Sequence, residues 1–144
     1  MSRIQIETPE KWLFHTRIKV QIGDINYGNH LSNDAILRLC HEARMRLLSN
    51  YGFNEIDIGG TGLIMLDAAL QFQGQGFYGD ELDFDLGITN LSNTGFTLIY
   101  KLHRTRDGAA IAMVKTGMAF FNYERQRISR TPEIFRSAIA GVIE

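Results

Sequence analysis

The chain has 144 residues, 44% hydrophobic and 22% charged, with a formal net charge of −1. That length and balance suit one globular domain with a sizeable core and exclude a disordered chain. The near-neutral charge makes no case for nucleic acid, and no apolar run reaches the roughly 18 residues that a membrane span needs. The single cysteine, Cys40, rules out an internal disulfide and a cysteine-cluster metal site, and it fits a reducing compartment. The opening MSRIQIETPEKW holds no long apolar run, which argues against a signal peptide, so the expected location is the cytoplasm.

Residues 1–10 read as a loose arm. FHTRIKVQI (14–22) reads as a strand, because Phe14, Thr16, Ile18 and Val20 alternate with basic or polar neighbours. A polar stretch follows, GDINYGNHLSND from Gly23 to Asp34. Gly23 and Gly28 permit backbone angles closed to other residues, and its asparagines favour turns through their own backbone hydrogen bonds. A helix is expected from Ser32 or Asn33, either of which can accept a hydrogen bond from the first turn, while the charge of Asp34 suits the positive helix end. Ile36, Leu39, Cys40, Ala43 and Leu47 recur at spacings of three and four and form one buried stripe. The helix should end near Asn50 to Gly52, giving about 17 residues or roughly 25 Å at 1.5 Å per residue. In so small a chain that is the central element.

Beyond Gly52 the texture changes. GLIMLDAALQFQG (62–74) reads as a strand with a bend or bulge, and Phe77 to Asp80 as a break. ELDFDLGITNL alternates cleanly, with Leu82, Phe84, Leu86 and Ile88 on one side and Asp83, Asp85 and Thr89 on the other. FTLIYKLHRT (96–105) and AAIAMVKTGMAFFNY (109–123) flank Arg106-Asp107-Gly108, whose Asp-Gly pair predicts a hairpin. Thr131-Pro132-Glu133 predicts a short helix, threonine as cap and proline first. The order strand, long helix, four antiparallel strands predicts an α+β domain over 1–144, with the helix buried against a curved sheet. Gly87, Gly117 and the alanines between 109 and 119 leave room for close backbone approach, and pairing between subunits would protect exposed edges.

Chemistry is expected where the polar stretch meets the helix. Asp24, Asn26, His30 and Asn33 gather there, and free N–H groups at the helix start can stabilise negative charge on a carbonyl oxygen. A carboxylate within reach could activate water, which outlines acyl transfer to water. Each residue also has a plain structural reading. Asp24 can simply form the turn, and His30 can fix the loop to backbone. Asn26 can orient water or donate to a carbonyl but cannot be a general base. Glu42 can pair with Arg46 one helical turn away. Asp67 interrupts the apolar run Leu63 to Leu70 and needs partners or exposure. Phe72, Phe77, Tyr78 and Phe84 either line an acyl pocket or belong to the core. Arg125, Arg127 and Arg130 read as a solvated tail or, alternatively, as a landing patch for a phosphorylated substrate handle. His30 and His41 lack metal-ligand spacing, and QGQGFYGD (73–80) is neither a P-loop nor a dinucleotide fingerprint, so neither metal nor cofactor is expected.

The ordered set GDINYGNHLSN, Arg38, Glu42-Ala43-Arg44, Tyr78-Gly79-Asp80 and the tail from Asn122 to Pro132 resembles the hotdog-fold thioesterases of the 4-hydroxybenzoyl-CoA thioesterase type, over roughly residues 12–136. That type includes bacterial acyl-CoA thioesterases and resembles plant acyl-ACP thioesterases. The resemblance implies a hotdog fold, a homodimer or homotetramer with sites between subunits, and hydrolysis of an acyl-CoA or acyl-ACP thioester to acid and thiol. Tyr27, Gly28 and Asn33 would then contact substrate. One position departs from the pattern: counting back from His30, the usual catalytic aspartate falls on Asn26, and Asp24 lies two residues earlier. Three outcomes stay open. Asp24 takes over; Glu42 or Asp67, from this chain or a partner, supplies the carboxylate; or the protein binds thioesters with little hydrolysis. Hydration or dehydration of an enoyl thioester through His30 is a further alternative.

Overall fold

The computed structural model of the chain describes residues 3–143. Strand β1 (Phe14–Lys19) leads through a short 3-10 turn, Ile22–Asp24, to helix α1 (Asn33–Asn50). Strands β2 (Gly62–Phe72), β3 (Glu81–Thr89), β4 (Gly95–Arg104) and β5 (Ala110–Asn122) follow. A two-residue strand β6 (Arg127–Ile128) and helix α2 (Glu133–Ile143) close the chain. The strands form one antiparallel sheet in the order β1-β3-β4-β5-β2, with β6 beside β5. This long helix against a curved antiparallel sheet is the hotdog arrangement. The expected hairpin is present, with Gly108 at a positive φ of 72° in its turn. The strand expected over 14–22 stops at Lys19, because the chain turns at Ile22. Neither β6 nor its capture of Arg127 was expected; Arg125 and Arg130 are exposed.

The alternation of β3 decides which face meets α1. Leu82, Phe84, Leu86 and Ile88 pack with Phe96, Leu98, Tyr100 and Leu102 of β4 and Val114 and Phe120 of β5. Onto this face α1 lays Ala35, Ile36, Leu39, Cys40, Ala43, Leu47 and Leu48. The predicted stripe is thus buried whole. Burial pushes the Cys40 thiol well above its ordinary pKa, so this cysteine is an inert part of the core. The far end is sealed by Phe135 of α2, which stacks on Phe96 at 5.0 Å and meets Phe120 edge-on at 5.1 Å. Thr131 does not cap α2. Its hydroxyl donates to Ser92 O (2.8 Å), and α2 starts after Pro132, whose carbonyl accepts from Phe135 and Arg136.

The opposite face carries a charged ladder. Arg17 and His15 of β1 donate to Asp83 of β3 at 3.0 and 3.1 Å. The arm is not loose throughout: Pro9 is buried over Gly87, where any side chain would collide with it. Gly117 likewise lies under the Asp67 carboxylate. The room expected at these two glycines is therefore filled from within the chain.

One polar network crosses the core. Arg44, on the buried side of α1, donates to Glu55 (2.8 Å) and to the Tyr100 hydroxyl (2.9 Å), which lies 2.8 Å from the Thr116 hydroxyl. Burial opposes the Arg44 charge, but Tyr100 and Glu55 outweigh it and leave the guanidinium above its ordinary pKa. Burial also pushes the Tyr100 phenol up to about 12. Replacing Arg44 by leucine leaves the Tyr100 hydroxyl without its charged donor and Glu55 with His41 alone, and should cost about 3 kcal/mol in urea unfolding. Tyr100→Phe should cost only about 1–2 kcal/mol.

Candidate functional site

The polar stretch between β1 and α1 folds into a compact loop. Ile25 and Leu31 form a bridge at its neck. Asn26 N–H donates to His30 O (3.1 Å), and Asn29 N–H donates back to Asn26 O (3.0 Å). That tight reversal puts Asn29 at a positive φ of 67°, a conformation asparagine tolerates better than most side chains. Leu31 N–H donates to Gly76 O at 2.7 Å, and a side chain at position 76 would press on Leu31. The loop is therefore anchored to the segment that follows β2.

Within this frame Asp24 is structural. It is buried, with Oδ2 accepting from Gln21 N–H (2.8 Å) and Oδ1 from Arg38 Nη1 (2.9 Å). Its backbone carbonyl also takes the Ser32 N–H (2.9 Å). Both carboxylate oxygens already have partners. Asn26 is different. Asn26 is exposed, and its Oδ1 accepts from Gly28 N–H (2.9 Å), which leaves Nδ2 a donor with no partner among the described residues. His30 is half-buried, and its Nδ1 lies 3.4 Å from Leu31 O, a long contact. Its Nε2 and Asn26 Oδ1 both border Gly28, within 3.5 and 3.1 Å of where a Cβ would stand. The smallest residue thus keeps the amide and the imidazole side by side. Tyr27 projects fully into solvent, and Asn33 is exposed at the start of α1.

That helix start is open. Ser32 occupies the cap position but its side chain makes no capping hydrogen bond, contrary to expectation, and the first helical bond is Ile36 N–H to Ser32 O. The Ser32 hydroxyl beside the Asp34 carboxylate, with the nearby backbone and Arg38, lowers the Asp34 pKa.

The other two acids lie elsewhere in the chain. Glu42 is exposed and bonds Arg46 (2.8 Å), which also reaches Thr16 and the Arg17 carbonyl of β1. Asp67 stands just past a bulge in β2, where Oδ1 accepts from Gly117 N–H (3.1 Å) on the sheet face away from α1. Within one chain neither joins Asn26. A second polar group went unnoticed in the sequence: His41 Nε2 lies 3.2 Å from Glu55 Oε1, which also accepts from Arg44. His41 and Arg44 are three apart and share a helix flank, a legible signal. Glu55, in the connection after α1, has no periodicity to announce it.

Among the described residues no His, Cys, Asp or Glu group could hold a metal ion, and no helix is long and apolar enough to cross a membrane. Residues 20–139 match the family model described as the thioesterase-like superfamily. No curated protein matches the sequence. Among solved structures, a 1,4-dihydroxy-2-naphthoyl-CoA thioesterase from Synechocystis is similar, with a TM-score of 0.80 at 22% identity over 88% of this chain and 95% of its own. A Staphylococcus aureus protein solved in complex with CoA scores 0.80 at 19% identity, covering 97% of this chain and 87% of that one. A gentisyl-coenzyme A thioesterase scores 0.77 at 19% identity over 87% and 98%. Likeness at such identities establishes a shared fold.

The two bonds to Asp24 predict that Asp24→Ala destabilises the protein by about 1–3 kcal/mol, because the Gln21 amide and the Arg38 guanidinium lose their buried acceptor. Arg38→Ala should cost less, since its side chain is about half exposed (54%). Urea unfolding of both variants would check the order.

Proposed function

Because the chain belongs to the thioesterase-like superfamily, we propose that it hydrolyses an acyl-CoA or acyl-ACP thioester at the rim formed by Asn26, His30 and the start of α1. The observation that carries this reading is the exposed Asn26 amide, its oxygen held by Gly28 N–H and its nitrogen free of partners among the described residues, in the loop that leads into a helix whose cap residue makes no capping bond. Such donors suit the oxygen of a thioester carbonyl as it gains negative charge. Water attacks the carbonyl carbon, the carbon–sulfur bond breaks, and the thiolate leaves with a proton. His30 is the base we assign, since its imidazole borders the same glycine and Asp24 is already engaged. On this reading Tyr27, Gly28 and Asn33 line the entry for the CoA or carrier arm.

The active unit we propose is at least a homodimer joined across β2. That strand pairs only with β5, so its other edge is open, and Met65, Leu66 and Phe72 stand exposed along it. A second copy laid against this edge would cover those side chains and wall the open side of the loop. The proposed location is the cytoplasm.

Asn26 gives the sharpest test. Asn26→Ala should lower kcat about 10²–10³-fold in a thiol-release assay across acyl-CoA chain lengths. Asn26→Asp keeps the bond to Gly28 but sets a negative charge against the developing oxyanion, so it should lose activity too. A large gain in Asn26→Asp would show instead that the loop lacked an acid. Tight acyl-CoA binding without any thiol release would favour a thioester-binding protein, a reading motivated by the engaged carboxylate of Asp24.

The interface has its own check. Leu66→Lys puts a charge on the open β2 edge. Light scattering should show a dimer or larger assembly for the wild type and a monomer with little thiol release for this variant.

A further inference from the structure

The arm before β1 crosses the sheet and roofs a polar recess. Leu13 N–H donates to Leu86 O (2.7 Å), and Pro9 lies over Gly87. Ahead of Pro9, Glu7 and Thr8 share a recess with Ile99 of β4 and Lys115 of β5, and Ile4 reaches Phe72 of β2. This is the sheet face away from α1. Thr116 turns to Tyr100 on the helix side, so Lys115, next to it in the strand, turns the other way, and Ile99 is its partner in register. Ile99 is buried, at 2% exposure, yet stands apart from the core under α1, so the arm is part of its cover. Residues 3–10 nevertheless make no hydrogen bond to the sheet among the described residues.

The recess between arm and sheet measures about 260 Å³, room for one small solute or several waters. Ile99 is its apolar floor. Its walls are polar: Thr89 and Asn90 at the end of β3, Thr97 of β4, Lys115 of β5 and Glu7 of the arm. The hydrogen-bonding capacity of these side chains is almost unspent. Among the described residues the one bond they make is long, Asn90 Nδ2 to Thr97 Oγ1 at 3.5 Å. Glu7 and Lys115 carry opposite charges, one on the arm and one on the sheet, and neither has a partner among the described residues, the other included. A neighbouring recess of about 220 Å³ shares Asn90 and Thr97 and ends at Asp67.

We propose that this recess binds a free amino acid, its carboxylate on Lys115 and its ammonium on Glu7. The two charges of such a zwitterion match the two unpaired side chains, and Thr89, Thr97 and Asn90 supply further donors and acceptors. The neighbouring recess gives its side chain room. A plain anion leaves Glu7 unpaired, a plain amine leaves Lys115 unpaired, and an apolar molecule finds only Ile99 beneath polar walls. Bound there, the amino acid ties the arm to β5, a link the arm lacks by itself. The site lies on the face away from α1 and does not depend on the hydrolase reading.

The test is calorimetric titration of the full chain with each common free L-amino acid, and with propionate and ethylamine, which each carry one of the two charges. At least one amino acid should bind with a Kd of about 1 mM or tighter, and neither single-charge probe should. Lys115→Ala and Glu7→Gln, both at exposed positions with little bearing on folding, should each weaken that binding about 10-fold or more, the worth of one hydrogen bond to a charged group. The bound amino acid should also slow tryptic cleavage after Lys11, since it holds the arm down. If no amino acid binds at that strength, if propionate or ethylamine binds as well, or if either substitution leaves binding unchanged, the inference is overturned and the two charges are solvated surface groups. Binding that leaves cleavage after Lys11 as fast as before would equally reject a seat beneath the arm.

Discussion

The structure depends on how one long helix is fixed against the sheet, and the Arg44–Tyr100–Thr116 network is the directional part of that contact. Apolar burial alone would let α1 slide or turn, because Ala43, Cys40 and Leu47 present smooth surface to β3 and β4. A guanidinium with fixed bonding directions does not permit that. Its bonds to Tyr100 and Glu55 set the rotation of the helix, and the rotation sets everything on its flanks. Arg46 then meets β1, His41 meets Glu55, and the first turn meets the loop that begins at Gly23.

That loop is held from three sides, by Arg38 through Asp24, by Gly76 through Leu31, and by its own Ile25–Leu31 bridge. The consequence is a division of labour between two neighbouring polar residues. Asp24 gives both oxygens to the fold. Asn26 gives only its oxygen, to Gly28, and keeps its donor. An aspartate two positions from an asparagine looks in sequence like a displaced catalytic acid. In the folded chain it is the strut that lets the asparagine stand still.

The fold was largely legible, and the reason is periodicity. The stripe on α1, the alternation of β3 and the Asp-Gly hairpin are signals that burial enforces, and each element stands where its pattern predicts. The misses have local physical causes. Thr131 found the Ser92 carbonyl before it could cap α2, the Ser32 hydroxyl makes no capping bond and lies beside the Asp34 carboxylate, and β6 is too short to carry a pattern. In the site, sequence order grouped Asp24, Asn26, Tyr27, Gly28, His30 and Asn33 in one loop, as observed. It could not separate the engaged Asp24 from the free Asn26 donor, because that depends on Arg38, one helical turn into α1. Glu42 and Asp67 were plausible only as residue types; the flank of the helix and the face of the sheet take them away from Asn26 within one chain.

The two faces of the sheet are covered unequally along the β2 edge. The face away from α1 has its own cover, with Pro9 laid over Gly87 and the Asp83 ladder joining β1 to β3. The helix side is sealed at one end by Phe135. The outer edge of β2 has no strand beside it among the described residues, and that strand carries Met65, Leu66, Ala68 and Phe72 into solvent. In the dimer proposed above, a second copy covers this strip. The bulge after Met65 strengthens that view, since it sets Leu66 out of register at the middle of the open edge while Asp67 turns back onto Gly117. In that dimer the second copy would also wall the rim proposed at Asn26 and His30.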